Sequence, residues 1–472
     1  MHPDCAADAP ARLLEVGLAA LLVLAPLPFG AVGPPGRLAL ESGALVLLLV
    51  WLARSLVRRT PLPAPGVLAG LGGLLFLAAL QAAPLGDAVV GAVSPRSVEI
   101  RRDSRPPERV AAAEERLLGR PAAALDLAAS VSLDPAGTAS ALRTGCALAA
   151  LLVVGHAVAA LRGARGIALA LLLSGGFQGL YGILVVASGH DRIWHLPKKH
   201  FLDDATGTFV NRNHFACLMA MSLACGAALL LAEIERRPPP GGSRLRRWLG
   251  AEGGSTLALA LPLVVGLAGL LLSFSRAGIA IGLTALGATV WLALGPLPRR
   301  TRAAVLLLLV VAALVPLARL GPGRLIERYR AAVVDLLPAG GRPTVWVGTL
   351  RIAADFPVAG CGFGSFAATY PLYRSPSVRV FYSHAHNDFV QALAEGGGVG
   401  LACLLLLAFR AGPQLAAALR GAKGTLGIGC AIGLAAILAH ALVDFNFHLP
   451  ANAATAAVLA GAVLGLPWIR RS

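Results

Sequence analysis

The stretch YSHAHNDFVQALAEGGGVGLACLLLLAF, residues 382–409, combines a polar cluster with a long apolar run. A membrane-spanning helix needs about 20 predominantly apolar residues, and the run at 390–409 has that length. The polar residues directly before this run are His384, His386, Asn387 and Asp388. The stretch therefore predicts a membrane helix that begins at a cluster of titratable and hydrogen-bonding side chains.

The whole chain has the composition of a membrane protein. Of its 472 residues, 57% are hydrophobic and 14% are charged, whereas about 25% of the residues of a soluble domain are charged. The net charge of +17 does not predict nucleic-acid binding, because the arginines lie between apolar runs rather than along one face. The seven cysteines contain no C-x-x-C pair, which gives neither a zinc ribbon nor a disulfide framework.

Apolar runs of about 17–25 residues recur along the chain and predict an all-α polytopic membrane protein with about twelve transmembrane helices. The runs are 13–32, 38–56, 64–83, 139–160, 166–188, 214–234, 255–273, 277–296, 303–319, 390–409, 424–443 and 451–468. The first run lacks a clear cleavage site, so we expect a retained helix rather than a signal peptide. A large loop, 320–389, joins helices 9 and 10.

Basic residues alternate between the connections, and short loops rich in Lys and Arg stay on the cytoplasmic side. The basic connections are 54–59, 162–165, 236–247, 299–302, 410–423 and the tail 470–471. The alternate short connections hold Arg37, Arg276 and none in DFNFHLP, 444–450. This pattern predicts that both termini are cytoplasmic. It places the segments 84–138, 189–213 and 320–389 on the opposite face.

The histidine run admits three interpretations. A helix start facing water attracts anions, and a histidine there can act as a base or an acid near neutral pH. A polar helix cap without chemistry explains the same residues, because Ser, Asn and Asp are good N-caps. A metal site with His384, His386 and Asp388 as ligands is the third interpretation, although H-x-H-x-D has no obvious partner elsewhere in the sequence.

Two arginines precede other helical segments on the same predicted face. Arg276, in LLSFSRAGIA (271–280), lies in a connection of a few residues, where an ionisable group predicts function; the alternative is a snorkelling anchor. Arg342 precedes a helix-like stretch at 342–355. The glycines that follow it, Gly360, Gly362 and Gly364, lack the βαβ context of a nucleotide fingerprint. They predict a tight turn or close backbone packing.

A fourth cluster lies in GTFVNRNHFA, residues 207–216. Its polar members are Asn211, Arg212, Asn213 and His214. Four hydrogen-bonding side chains in a row suit a polyol or a phosphate, and the alternative is an N-cap with a basic anchor. All four clusters are predicted on one face, where they could meet in one cavity. Arginine binds phosphate through bidentate hydrogen bonds, and a lipid-linked diphosphate would need such a clamp.

In this order, GTFVNRNHFA, SFSRAG, RPTVW…DFPVAGCGFGSF and SHAHNDFVQALAEGGGVG resemble the O-antigen ligase/O-antigen polymerase family of bacterial membrane proteins. The resemblance covers roughly 140–468 and is most specific at 342–401. It implies a C-type glycosyltransferase-like architecture with a large periplasmic loop. It also divides the chain into residues 1–138, with three helices and a periplasmic loop, and an O-antigen ligase-like core at 139–468.

The resemblance implies a transferase in the bacterial inner membrane that needs no metal, nucleotide or other cofactor. It moves a glycan from undecaprenyl diphosphate to an acceptor hydroxyl on a glycan, on lipid A-core or on a protein. Arg276 and Arg342 would grip the diphosphate, and His386 would activate the acceptor, with His384 as the alternative. Asn211, Arg212, Asn213, His214, Asn387 and Asp388 would be supporting contacts to the substrates.

Two other classes of protein fit a chain of twelve helices. A transporter or flippase for lipid-linked glycans is the first, but the halves show no internal repeat and the polar residues lie at helix ends rather than at mid-membrane. A membrane scaffold is the second, and it would leave Arg276 and the histidine run without a role.

Overall fold

The computed structural model describes residues 8–104, 129–236, 253–295 and 341–468, with a few isolated residues between them. These residues are predominantly helical. The helices are α1 (Ala9–Leu24), α2 (Pro34–Val57), α3 (Pro65–Ala82), α4 (Asp87–Val93), α5 (Pro95–Asp103), α6 (Pro135–Arg162), α7 (Arg165–Ser188), α8 (Arg212–Glu235), α9 (Gly253–Leu272), α10 (Arg276–Ala293), α11 (Arg342–Asp355), α12 (Phe366–Thr369), α13 (Asp388–Leu419), α14 (Gly424–Ala441) and α15 (Pro450–Gly465). Two short strands, β1 (Arg192–Ile193) and β2 (Leu196–Pro197), pair antiparallel.

The predicted membrane spans correspond closely to these helices. Eleven of the twelve coincide with a helix, whereas the run 303–319 lies almost wholly outside the described residues. Within the described ranges, eight helices are long and apolar enough to cross a membrane, namely α2, α3, α6, α7, α8, α10, α13 and α14. The all-α polytopic class is therefore confirmed, while the count of twelve and the position of the large loop stay predictions.

The first helix is shorter than the apolar run suggested. We predicted a span at 13–32, but α1 ends at Leu24 and is followed by a turn and a short 3-10 helix, Phe29–Ala31. Pro26 and Pro28 lie in this segment. Proline has no N–H to donate and its ring clashes with the preceding helical turn. The helix therefore ends at Leu24, although the apolar sequence continues to residue 32.

The chain forms two compact units, each assembled from separated segments. Unit 1 consists of Met1–Pro65, Ala147–Val334 and Phe409–Ser472, and unit 2 of Gly66–Cys146 and Asp335–Ala408. The family-based division at 138/139 is a different kind of boundary and stays a prediction.

Unit 1 is organised around α8. This helix packs against α7, α9, α10 and α14, and it is buried along most of its length. Its sequence, RNHFACLMAMSLACGAALLLAEIE, contains six Ala, two Cys, one Gly and one Ser. Small residues allow helices to approach closely in a membrane protein. The start of α8, which carries the 211–214 cluster, is therefore held by several neighbouring helices.

Unit 2 contains a break in α13 that is filled by another part of the chain. Gly397 has φ 59° and ψ −159°, a conformation that is essentially restricted to glycine. The segment 357–362 pairs with 394–399 across this break, with Cys361 N–H donating to Ala394 O at 3.0 Å and Gly398 N–H to Pro357 O at 2.8 Å. Gly360, Gly362 and Gly364 all have positive φ, and a Cβ at Gly360 would lie 2.1 Å from Glu395 O, so the close backbone packing predicted as one of two roles for these glycines is present.

Gln81 of α3 makes hydrogen bonds to both of these paired segments. Its Nε2 donates to Ala359 O at 2.5 Å and to Glu395 O at 2.8 Å, and its Oε1 accepts from Phe363 N–H at 3.0 Å. Gln81 is completely buried. A glutamine within an apolar run thus serves the loop structure of unit 2. The sequence analysis did not single it out.

Candidate active site

The cluster at the start of α8 is ordered by its own hydrogen bonds. Asn211 is the N-cap, and its Oδ1 accepts from Asn213 N–H at 2.8 Å. Arg212 donates from Nη1 to Asp204 Oδ2 at 2.6 Å, and its guanidinium lies over the Phe201 ring at 5.1 Å. Because Asp204 is buried, the charge of Arg212 is compensated within the protein. The capping role raised as an alternative for this cluster is therefore present, and the role of Arg212 as a basic anchor stays a prediction.

Asn213 connects two helix starts. Its Nδ2 donates to Asp444 Oδ2 at 2.7 Å, and its Oδ1 accepts from Ser275 Oγ at 2.8 Å. Ser275 is the N-cap of α10 and also accepts from Gly278 N–H at 3.3 Å. Since Arg276 is the next residue, Asn213 holds the start of α10, where Arg276 begins the helix, against the start of α8.

His214 is buried rather than open to solvent. Its ring meets the Phe445 ring edge-on at 4.6 Å, and its Nε2 lies 3.9 Å from Asp444 Oδ1, which is beyond hydrogen-bond distance. Three buried atoms here have no hydrogen-bond partner among the described residues: His214 Nε2, Asn446 Nδ2 and Asn452 Oδ1. An unpaired buried polar atom costs about 1–3 kcal/mol, so a hydrogen bond from a water molecule or a polar ligand atom would stabilise these three atoms.

The sequence analysis missed the residues that complete this cluster. They are Asp204, Asp444, Asn446 and Asn452, all almost fully buried. The connection DFNFHLP was considered only for its lack of Lys and Arg. Asp444, Asn446 and Asn452 lie in or next to a short connection between two apolar runs. A carboxylate and two amides at such a place indicate a polar site, because such groups are buried only when they are paired.

Asn213→Asp is expected to destabilise unit 1, because it replaces the N–H donor to the buried Asp444 by a carboxylate oxygen. We expect a loss of at least about 1–3 kcal/mol, the cost of an unsatisfied buried group. The measurement is the thermal unfolding midpoint of the purified protein in detergent. Asn211→Asp is the matched control, because aspartate is an equally good N-cap and should leave the midpoint unchanged. Equal midpoints for the two variants would contradict this arrangement.

In unit 2, α11 places Arg342 beside the histidine run. The helix-like stretch predicted at 342–355 is confirmed, and Arg342 is its first residue. One turn later, Trp346 Nε1–H donates to the carbonyl oxygen of Ala385 at 3.0 Å. Ala385 lies between the two histidines. Because residues four apart share a helix face, Arg342 lies on the side of α11 that contacts this run.

Asn387 and Asp388 shape the start of α13. The Oδ1 of Asn387 accepts from Phe389 N–H and from Val390 N–H, both at 3.1 Å, as an N-cap does. Asp388 is the first residue of the helix and is buried. A carboxylate is favourable at that end of the helix dipole. For these two residues a capping role is therefore present, and a substrate contact stays a prediction.

A buried network behind the run positions His384. Gln391 Oε1 accepts from Ala385 N–H at 2.9 Å, and its Nε2 lies 3.4 Å from His384 Nδ1 and 3.1 Å from Glu395 Oε1. Glu395 Oε1 also accepts from Phe366 N–H at 3.1 Å. Sequence reasoning quoted Gln391 and Glu395 only as parts of a motif. Their spacing of four residues on one helix face indicated that they interact.

His386 has an unusual backbone conformation. Its φ is +53°, in the left-handed region that costs a residue with a Cβ roughly 1–2 kcal/mol. Its ring is half-buried and meets the Tyr382 ring edge-on at 5.7 Å. Strained residues persist where the surroundings hold them, and they cluster at functional sites. Both histidines of the run are half-buried, and His386 differs from His384 in its left-handed backbone.

Cys361 lies near this network but is a poor nucleophile. Burial, with the nearby Glu395 carboxylate as the second cause, raises the pKa of its thiol to about 12. The reactive form of cysteine is the thiolate, so this thiol stays protonated at neutral pH.

The structure brings the predicted site residues together in two groups. Unit 1 holds Asn211 to His214 with the start of α10 at Arg276, and unit 2 holds Arg342 with 384–388. Among the residues that the structure describes, no three His, Cys, Asp or Glu side chains are grouped so as to hold a metal ion.

These features define an α-helical multi-pass membrane protein whose arginines, histidines and amides gather at helix starts. Residues 261–405 match the family model described as O-antigen ligase, which confirms the resemblance to that family. The matched residues include Arg276, Arg342 and the histidine run, whereas the 207–216 cluster lies outside them. A comparison with curated proteins gave no match. The match supports a membrane glycosyltransferase role of the O-antigen ligase or polymerase type.

Proposed function

We propose that this protein moves a glycan from undecaprenyl diphosphate to an acceptor hydroxyl at the periplasmic face of the bacterial inner membrane. The reaction would polymerise or ligate a surface polysaccharide, either O-antigen or exopolysaccharide. The observation that carries this proposal is the O-antigen ligase match over 261–405. It contains three motif residues at helix starts or within two residues of one, namely Arg276, Arg342 and His386.

Arg276 and Arg342 are assigned to the diphosphate. Each is the first residue of its helix, so the guanidinium and the positive end of the helix dipole attract the same anion. Negative charge grows on the diphosphate as its bond to the sugar breaks. Interactions that strengthen as this charge develops lower the barrier rather than only tightening binding.

His386 is assigned to the acceptor. The acceptor hydroxyl oxygen attacks the anomeric carbon, the bond from that carbon to the diphosphate oxygen breaks, and the imidazole takes the hydroxyl proton. The anomeric centre is inverted, and undecaprenyl diphosphate leaves as an anion. A positioned base contributes about 10²–10⁴-fold. His384, held against Gln391, is the alternative base.

The remaining predicted residues support these three. Asn213 holds the start of α10 and therefore Arg276, and Asn387 and Asp388 shape the helix start after His386. Asn211, Arg212 and His214 would contact the glycan or order the residues that do. The basic connections listed above, on the opposite side of the spans, support cytoplasmic termini. The prenyl chain would lie among the membrane helices, in contact with lipid.

The test is polysaccharide profiling in the native host, with a deletion strain complemented by each variant. Arg276→Ala, Arg342→Ala and His386→Ala are expected to lose the polymer that the wild type restores. Arg410→Ala and His190→Ala are the controls, because both residues are exposed and lie outside the assigned groups. Membrane expression of each variant is checked by immunoblot.

The product that disappears identifies the reaction. Loss of long chains alone indicates polymerisation, and loss of glycan on lipid A-core or on protein indicates ligation to that acceptor. Full restoration of polymer by all three expressed variants would overturn the transferase assignment and favour transport of a lipid-linked glycan.

A further inference from the structure

Two cavities in unit 2 lie along α11, apart from the histidine run. The first, of about 260 Å³, is lined by Thr344, Val347, Arg351 and Tyr373 among others. The second, of about 810 Å³, lies between the α4–α5 junction and the end of α11. Its lining includes Arg96, Glu99, Asp355 and Val358. Ligand sites in proteins typically have volumes of about 300–1,000 Å³, so the second is large enough for a ligand by itself.

The two cavities follow one stripe of α11. Pro343, Val347 and Arg351 line the first cavity, and Asp355 lines the second. These positions are spaced by four residues, and residues four apart lie on one helix face. The stripe spans about 18 Å at 1.5 Å per residue. The stripe begins one residue after Arg342. An elongated ligand with one end at Arg342 could therefore extend along α11 toward Asp355.

The polar groups of this stripe are balanced in charge. The lining contains two arginines, Arg96 and Arg351, and two carboxylates, Glu99 and Asp355. Arg96 Nη1 lies 2.6 Å from Glu99 Oε2, and its Nε lies 3.6 Å from Asp355 Oδ2. Donors and acceptors are thus presented side by side. A site for a diphosphate would instead carry an excess of donors and positive charge.

Apolar surface lies between these polar groups. Val347 is 51% exposed and Val358 is 52% exposed, and Tyr373 is half-buried beside them. The hydroxyl of Tyr373 donates to Asp355 Oδ2 at 2.7 Å. Burial raises the pKa of Tyr373 to about 12, so the hydroxyl stays a donor at neutral pH.

We propose that this stripe is a binding cleft for the uncharged oligosaccharide portion of a glycan substrate. Sugar hydroxyls both donate and accept hydrogen bonds, which matches paired arginines and carboxylates, and the C–H faces of sugar rings pack on aliphatic and aromatic side chains. The length of the stripe suits several sugar units rather than one. This inference rests on the proposed function, because it takes a glycan as the substrate.

The test measures calorimetric binding of a multi-repeat oligosaccharide, released from the host's own surface polysaccharide, to the purified full-length protein. Glu99→Ala in the second cavity and Arg351→Ala in the first are each expected to weaken binding about tenfold, the loss of roughly one hydrogen bond to a charged group. Asp103→Ala, on the same helix as Glu99, and Arg379→Ala are matched controls. Both of these residues are exposed and lie outside the cavities.

The outcomes separate this cleft from the proposed function. No binding by the wild type, or unchanged binding by Glu99→Ala and Arg351→Ala, would overturn the cleft. Weaker binding of inorganic pyrophosphate in Arg351→Ala, with oligosaccharide binding unchanged in both variants, would also overturn it and indicate an anion site. If both variants weaken oligosaccharide binding while Arg276→Ala and His386→Ala still restore polymer in cells, the cleft stands and the transferase assignment fails.

Discussion

Replacing Gly360 by alanine is expected to prevent unit 2 from folding correctly. A Cβ at this position would lie 2.1 Å from Glu395 O and 2.6 Å from Gly396 N, both backbone atoms of α13. A backbone neighbour cannot move aside as a flexible side chain can. The pairing of 357–362 with 394–399 would have to separate, and it is this pairing that fills the break at Gly397.

The expected cost is a large share of the total stability. The left-handed φ of +72° at Gly360 costs alanine about 1–2 kcal/mol, and forced overpacking adds about 1–3 kcal/mol. The sum, roughly 2–5 kcal/mol, compares with a net stability of about 5–15 kcal/mol for a typical protein. We therefore expect poor membrane expression and a much lower unfolding midpoint.

The control variant Gly86→Ala separates the cost of a positive φ from the cost of the close backbone contact. Gly86 is in the same unit and has φ +80°, but nothing lies within 4 Å of a Cβ there. It should show only the conformational cost. The measurement is the thermal unfolding of both variants in detergent, followed by fluorescence-detected gel filtration. If Gly360→Ala unfolds at the same temperature as Gly86→Ala, the close approach of the two segments is wrong.

The second large effect is expected at His386, where the variants His386→Gly and His386→Ala should differ in stability but lose activity alike. Glycine adopts a φ of +53° without strain, whereas alanine retains the cost of the Cβ. His386→Gly is therefore expected to be roughly 1–2 kcal/mol more stable than His386→Ala. Both variants lose the imidazole, so both should lose about 10²–10⁴-fold in transfer rate if His386 is the base.

Because both variants lose the imidazole at the same position, the loss of its size and charge affects both equally. Stability is measured as the unfolding midpoint in detergent, and activity as polymer formed per unit of expressed protein in the complemented host. A midpoint for His386→Gly at or below that of His386→Ala would contradict the strained backbone. Full activity in both would remove His386 from the reaction and leave His384 to be tested in the same way.

The membrane helices and their starts followed from the sequence to a large extent. An apolar run of sufficient length crosses a bilayer wherever it occurs, because its backbone groups are satisfied within the helix. The start of α11 at Arg342, the capped start of α13 and the turn with three glycines were also predicted, since each depends on a few neighbouring residues. The end of α1 was missed, although Pro26 and Pro28 are local signals.

Contacts between distant residues decided the rest. Asn213 meets Asp444 across 231 residues, and Gln81 meets Glu395 O across 314 residues. An amide in an apolar run looks the same in the sequence whether it holds a loop, caps a helix or contacts a substrate. Membrane spans and helix caps can be predicted from neighbouring residues, because hydrophobicity and helix-end hydrogen bonds act within one helix. The polar networks around Arg276 and His386 exist only after folding, because a buried polar group is stable only beside the partner that packing brings to it.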